Sequence, residues 1–224
     1  MKETYMHSST MKRIISFDLD GTLVTTEYVD AVWLERIPEI YAETHALSFE
    51  EARNIVEREY LKIGPEALEW YNIHYWLEKF DLDIAWNDVL ESCIDRVATY
   101  PEVPEVLEAL GTRHTLIIIS NAAREFIQKE MEVLDIGKHF SAIFSSVSDF
   151  GKTKKEKSVY EMVCERMGIE KSAMIHVGDN YLFDYAAPRE ARIEAYYLDR
   201  DGTHADEDHV VRNLKDFEKR ITGL

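Results

Sequence analysis

The chain of 224 residues has little cysteine: Cys93 and Cys164 alone, with no CxxC pair and no histidine cluster at metal spacing. A disulfide framework and a structural zinc site are both excluded. Each cysteine falls on an apolar helical stripe and reads as a small buried hydrophobe. Basic residues are scarce as well. The 26 Lys and Arg face 43 Asp and Glu, for a formal net charge of −17 at pH 7. Nucleic acid is excluded as a partner, because its phosphates are held by clustered cations. No run approaches the roughly 18 apolar residues of a membrane span. Residues 1–10 lack the apolar centre of a signal peptide, so the cytoplasm is the expected location and this stretch an extension without fixed structure. Met11, just ahead of the first strand, would serve equally as a start. Repeats and low-complexity tracts are also missing. What remains is ordinary: 46% apolar residues, enough for one α/β domain or a core with a modest insertion.

Against these absences stands one dense stretch, Asp18-Leu19-Asp20-Gly21-Thr22. It follows Ile14-Ile15-Ser16-Phe17, an apolar run short enough for a buried strand. Carboxylates two residues apart on extended chain point the same way, and Gly21 lets the backbone leave the strand. Two acids so close repel, and a divalent cation relieves them. Alone, the stretch also fits an Asp-Gly turn or the opening of a calcium loop. The following Leu-Val-Thr-Thr-Glu-Tyr-Val supplies no regular series of oxygen ligands for the latter.

From Thr22 to about Tyr100 the pattern is helical. Tyr28 to Tyr41 forms a first helix. Ser48-Phe49-Glu50-Glu51 is a capping box opening a second, with Ala52, Ile55, Val56 and Tyr60 on one face. Pro65 suits the first turn of a third, carrying Leu68, Trp70, Tyr71, Tyr75 and Trp76. Trp86, Val89, Leu90, Cys93, Ile94 and Val97 trace a fourth. From Pro101 the rhythm becomes βα. Strands are expected at Leu116–Ile119, Ala142–Ser145, Ala173–Val177 and Ala195–Leu198. Helices are expected at Arg124–Leu134, Lys157–Met167, Tyr181–Arg192 and Val210–Ile221, with a polar surface loop over Asp199–Asp208. Alternation of this kind builds a Rossmann-like parallel α/β sheet with helices on both faces. The first strand belongs to that sheet, so residues 11–24 and 100–224 form the core and 25–99 an inserted helical domain.

Three strand ends carry polar clusters: Asp18, Asp20 and Thr22; Ser120 and Asn121; Asp179 and Asp184. Adjacent parallel strands bring their carboxyl ends together, so the clusters can converge in one crevice. In this order and spacing they resemble the motifs of the haloacid dehalogenase-like superfamily, in its phosphatase branch. Asp-Leu-Asp-Gly-Thr resembles the first motif, Ser120-Asn121 the second, and Gly178-Asp179-Asn180-Tyr-Leu-Phe-Asp184 the fourth. The third is a lysine, usually in Gly-x-x-Lys-Pro with an aromatic residue six positions on. Gly151 and Tyr160 select Lys154 over Lys152, Lys155 and Lys157, although Lys155 stands where Pro is usual. Arg192 likewise stands where an Ala-Gly pair usually follows the fourth motif.

The resemblance implies a magnesium-dependent phosphatase acting on a small phosphate ester, with residues 25–99 as a cap. Asp18 is then the nucleophile, Asp20 the acid and base, and Lys154 a counter-charge. Thr22, Ser120, Asn121 and Lys154 hold phosphate oxygens, while Asp18, Asp20, Asp179 and Asp184 hold the metal. A local lysine and a cation override the acidic global field. Asp20 argues against a dehalogenase, which has no alkoxide to protonate. A phosphonatase would need a cap lysine in a distinctive setting, which Lys62 and Lys79 lack. A phosphomutase shares the core residues, and a non-catalytic binding protein on the same scaffold is the rival from another class. Phosphoglycolate, sugar phosphates and nucleoside monophosphates all stand open as substrates. His176 reads as a satisfied core histidine, His74 as part of an aromatic packing stripe, and Asn180 as a support for Asp179 or Lys154.

Overall fold

The computed structural model describes residues 12–154, 156–204 and 207–223. The expected extension over 1–10, Met11 and Lys155 lie outside them. Six strands form one parallel sheet: β1 (Ile14–Phe17), β2 (Thr115–Ser120), β3 (Phe140–Ser145), β4 (Met174–Gly178), β5 (Glu194–Leu198) and β6 (Val210–Val211). Their order is β3-β2-β1-β4-β5-β6, with the strand that leads into Asp18 at the centre. β2 shows why both faces need cover. Leu116 and Ile118 point into one apolar cluster with the helices Val103–Gly111 and Leu214–Thr222. Ile117 and Ile119 point into another with the helix Lys157–Met167. A strand buried on both faces reads as a continuous apolar run, which is how Leu116–Ile119 reads.

Two elements depart from expectation near the C-terminus. The stretch starting at Val210 opens as a strand, because a pair of β-branched valines extends the sheet beside Tyr197 and Leu198. The last helix starts only after Asn213, whose side chain accepts from the Asp216 N–H at 2.9 Å. The segment Asp199–Asp208 is more than a polar surface loop. Asp199 is buried and accepts from the backbone N–H groups of Thr203 and His204. Arg192, in place of the usual glycine, takes the left-handed conformation at φ 65°, which costs roughly 1–2 kcal/mol in an L-residue.

The helical block leaves the sheet unit after Val24 and returns at Thr99, the two crossings lying side by side. Val24 bridges Thr99, the Thr25 N–H donates to Ala98 and the Tyr100 N–H to Leu23. A helix runs from Glu27 through a π-helical segment, Ala31–Arg36, into Ile37–His45. The capping box at Ser48 and Glu51 forms and opens the helix Phe49–Ile63. The expected third helix is broken. A 3₁₀ turn at Leu68–Tyr71 stops at Asn72, whose side chain caps a separate helix, Ile73–Lys79. The stripe from Trp86 to Val97 is likewise split, into Trp86–Glu91 and Ile94–Arg96. Trp76, Tyr60 and Phe80 pack at the centre of the block, which continues into Ala123 and Phe126 beside the sheet.

Candidate active site

Parallel sheets bind at the carboxyl ends of their strands, and β1, β2 and β4 deliver the polar residues there. Asp18 extends β1 by one residue, its N–H donating to Val177 on β4 at 3.0 Å. Its carboxylate accepts from the Lys154 ammonium at 2.5 Å, and the same ammonium donates to Asp184 at 2.7 Å. Lys154 is only 1% exposed, a place a lysine takes only when paired. Its neighbours in the lysine run behave differently. Lys152 pairs with the exposed Glu156, and Lys157 faces solvent.

Asn121 fixes that loop. Its side-chain oxygen accepts from the Lys154 N–H at 2.7 Å and from the Ser146 hydroxyl at 2.5 Å. Its amide donates to the Tyr71 hydroxyl of the helical block at 3.1 Å. Ser120, also at the end of β2, accepts from the Ala122 N–H. Asp184 is held by three donors: Lys154, the Asn180 N–H at 2.9 Å and His176 at 3.1 Å. Burial would raise its pKa, but Lys154 and His176 outweigh it and bring the carboxyl to about 2. His176 is buried in β4 and its pKa is lowered by that burial. The neutral ring donates from Nε2 to Asp184 and accepts the Ser16 hydroxyl at Nδ1. It is satisfied, and it also orients an acid of the site.

Oxygens of Asp18, Asp179 and Asp184 lie within 4.8 Å of one another. Burial pushes the Asp18 carboxyl well above its usual range; Lys154 opposes this, and the charges of Asp184 and Asp179 add to it. Burial, and then Asp184, lift Asp179 to about 6. Three carboxylates crowded this closely, with oxygen as the only donor, fit a hard divalent cation. Two glycines leave room for the cluster. A Cβ on Gly178 would overlap the Asp184 carboxyl and the Asp18 side chain, and one on Gly21 would overlap the Asp179 carboxyl. Gly21 also sits at φ 78°.

The cluster floors a cavity of about 400 Å³ roofed by the helical block. Asp20, Ser120 and Asn121 line it too. Asp20 has a buried oxygen without a hydrogen-bond partner among the described residues, and burial raises its pKa. Thr22 departs from expectation. It is fully buried, does not line the cavity, and its hydroxyl faces Asp179 at 3.5 Å, so it steadies an acid instead of facing a phosphate. Arg200 holds the same turn from outside, donating to the carbonyls of Gly21 and Thr22 and lying over the Tyr100 ring. Asn180 does not reach Asp179 or Lys154 with its side chain. It caps the π-helical segment Tyr181–Ala186, accepting from the Leu182 and Phe183 N–H groups. His74 lies outside the cavity and meets Glu125 at 3.2 Å.

One residue at the site escaped the sequence reading. Glu130, on the helix Arg124–Val133, is fully buried with neither oxygen partnered among the described residues. Burial first, and the Asp20 charge second, push its pKa well above that of an ordinary glutamate. In the neutral form its O–H can donate to Asp20. Its spacing from Phe126 and Ile127, four and three residues, was the available signal, for these place all three on one face.

A parallel α/β sheet with acids gathered at the carboxyl ends of β1 and β4 defines a doubly wound protein with its ligand site at that edge. The haloacid dehalogenase-like hydrolase model matches residues 12–192, and the chain belongs to that family. Similar proteins include a GMP/IMP nucleotidase of Escherichia coli, 24% identical over 168 residues, covering 74% of this chain and 73% of the relative. A phosphoglycolate phosphatase of Aquifex aeolicus is 27% identical over 168 residues, covering 75% and 76%. In structure, a HAD phosphatase from Thermococcus onnurineus superposes with a TM-score of 0.83 at 24% identity, covering 95% of this chain and 98% of the other.

Proposed function

We propose that this hydrolase is a magnesium-dependent phosphatase that cleaves a small phosphate monoester through an aspartyl-phosphate on Asp18. The observation that carries the reading is the division of labour between the two acids of Asp18-Leu19-Asp20. Asp18 sits against Lys154 and the acidic cluster, whereas Asp20 lines the cavity apart from that lysine, beside the buried Glu130, where burial raises its pKa. One is placed to attack phosphorus, the other to hand a proton to the departing oxygen.

In the first step an Asp18 oxygen bonds to phosphorus as the ester P–O bond breaks, and the alkoxide leaves with the proton of Asp20. In the second, Asp20, now a carboxylate, takes a proton from water. The water oxygen bonds to phosphorus, releasing Asp18 and inorganic phosphate. Lys154, Ser120 and Asn121 hold the phosphoryl oxygens. Asp18, Asp179, Asp184 and the Asp20 carbonyl would hold magnesium, which would supply charge neutralisation there. Residues 25–99 serve as the cap, and residues 11–24 with 100–224 as the core. A dehalogenase has no use for the Asp20 proton, and neither Lys62 nor Lys79 lines the cavity as a phosphonatase would require.

The test is phosphate release from a panel of metabolite esters, with magnesium and then with a chelator. Release should depend on the metal, and Asp18→Asn should lower kcat by well over tenfold, beyond a barrier change of about 1.4 kcal/mol. Phosphate retained and moved within a sugar bisphosphate would instead show a mutase. No turnover on any ester would favour a binding protein.

A further inference from the structure

We propose that the cavity takes a phosphate monoester whose alcohol carries a flat, uncharged, hydrogen-bonding ring, the chemistry of a nucleoside monophosphate, in preference to an ester bearing a second anion. The proposal rests on the phosphatase reading above and concerns the part of the substrate that lies beyond the phosphoryl group.

Charge argues first. Among the described residues that line the cavity, Lys154 is the one lysine or arginine, and both Asp18 and Asp184 already share it. The other charged groups on the wall are acids: Asp20, Asp30 and Asp179. A carboxylate or second phosphate on the leaving group would enter a wall that carries Asp30 and no counter-charge among the described residues beyond Lys154, and burying an unpaired anion is costly. Phosphoglycolate, pyrophosphate and bisphosphates all carry that burden. An uncharged alcohol does not.

The shape and chemistry of the roof argue next. Trp33, Tyr60, Trp70 and Phe126 form a connected aromatic wall above the carboxylates. Trp33 stacks on Phe126 at 5.3 Å, and Tyr60 meets Trp33 and Trp70 edge to face. Flat π surfaces reward a flat ring with stacking energy beyond simple burial. A volume of about 400 Å³ is within the ordinary range for small-molecule sites. The wall is not wholly apolar. The Tyr60 hydroxyl is buried and has no hydrogen-bond partner among the described residues. A buried donor left open costs free energy that a ligand acceptor would recover. Asp30 can accept from an N–H or a sugar hydroxyl. Tyr71, by contrast, already donates to Pro65 and accepts from Asn121. An aliphatic sugar phosphate could use the polar groups but not the rings.

The experiment compares kcat/KM, by phosphate release with magnesium, for nucleoside 5′-monophosphates, ribose 5-phosphate, phosphoglycolate and pyrophosphate. The expected result is at least one nucleotide preferred about tenfold or more over each of the others. Tyr60→Phe and Trp70→Ala should each reduce the nucleotide to ribose 5-phosphate ratio about three- to tenfold. Phosphoglycolate or pyrophosphate matching the nucleotides would overturn the proposal, as would a ratio that neither variant moves. Calorimetry on Asp18→Asn with the same compounds separates the two layers of argument. Preferential nucleotide binding without turnover in the parent protein defeats the phosphatase reading and keeps the cavity assignment. Equal or absent binding of all four classes defeats the assignment.

Discussion

Replacing Lys154 by methionine removes one charge while keeping the length of the buried stem. Lys154 is 1% exposed and its ammonium donates to both Asp18 and Asp184, so the substitution leaves three acids within 4.8 Å of one another without their cation. Breaking a buried pair from one side costs about 3–5 kcal/mol, because the partner charge stays behind. For a domain of this size each kcal/mol moves Tm by about 2–4 °C, so the loss in chelator at neutral pH should be about 6–20 °C. Lowering the pH lets the stranded carboxyls take protons, and the gap to wild type should narrow. Magnesium should stabilise both proteins by mass action, roughly 2.7 kcal/mol for either at a hundredfold excess over its own Kd, and should narrow the gap only to the extent that the variant binds it more tightly. Calorimetric melting with Lys152→Ala as control provides the assay. The Lys152–Glu156 pair is exposed and should contribute no more than about 1 kcal/mol. In parallel, kcat/KM should fall about 10²–10³-fold with the loss of one charge partner of the phosphoryl group. A Tm within about 2 °C of wild type, together with turnover within about tenfold, would refute the reasoning.

Asp20→Asn should spare magnesium affinity, since its proposed metal contact is the backbone carbonyl, yet slow single-turnover cleavage of alkyl phosphates by about 10²–10⁴. p-Nitrophenyl phosphate, whose leaving group needs little protonation, should lose less; equal losses would remove the acid role. Glu130→Gln addresses linkage. The folded pKa of Glu130 lies well above the ordinary 4.5, so its contribution to stability is greatest below that value and declines as pH rises toward the folded pKa. The Tm difference, variant minus wild type in chelator, should therefore grow from about pH 5 to about pH 8; a constant difference would contradict the buried neutral acid. Gly178→Ala forces a Cβ into Asp18 and Asp184 and should cost about 1–3 kcal/mol and most of the turnover. Gly111→Ala, with its nearest neighbour at 3.8 Å, is the control that should fold and act normally.

Much of the sheet was legible because buried parallel strands are short apolar runs and their helices carry a clear period. Lys157–Met167 was read to the residue, since Gly168 ends it in the left-handed conformation that glycine favours. The choice of Lys154 rested on register alone, and the structure buries that lysine against Asp18 while Lys152 and Lys157 stay near solvent. Other features left weaker traces. Asn72 looks like any polar helical residue until its side chain is seen to cap, and Val210-Val211 is too short to show a period. The π-helical segments at Ala31–Arg36 and Tyr181–Ala186 each put one residue out of phase beside the cavity, where Trp33 and Asp184 are needed. The direction of the Thr22 hydroxyl, toward Asp179, is not legible from a place at a strand end. Tyr60 and Trp70 fall on helical faces and pack there; that the same rings also line a cavity depends on how the block lies over the sheet.

The central position of β1 has a consequence for how the chain is made. A nascent strand usually waits briefly for a neighbour, but β1 has no native partner until Thr115 is delivered, and its other edge stays bare until Met174. Until β2 is made the residues leading to Asp18 are an apolar ribbon with two open edges, and until β4 is made with one, the state most prone to mispairing. Pairing so distant in sequence is slow to form. The helical block, whose contacts are mostly local, can condense long before. A fragment ending ahead of β4 is thus no smaller enzyme: it lacks Asp179 and Asp184 and leaves β1 open, and its expected fate is aggregation or capture by a chaperone.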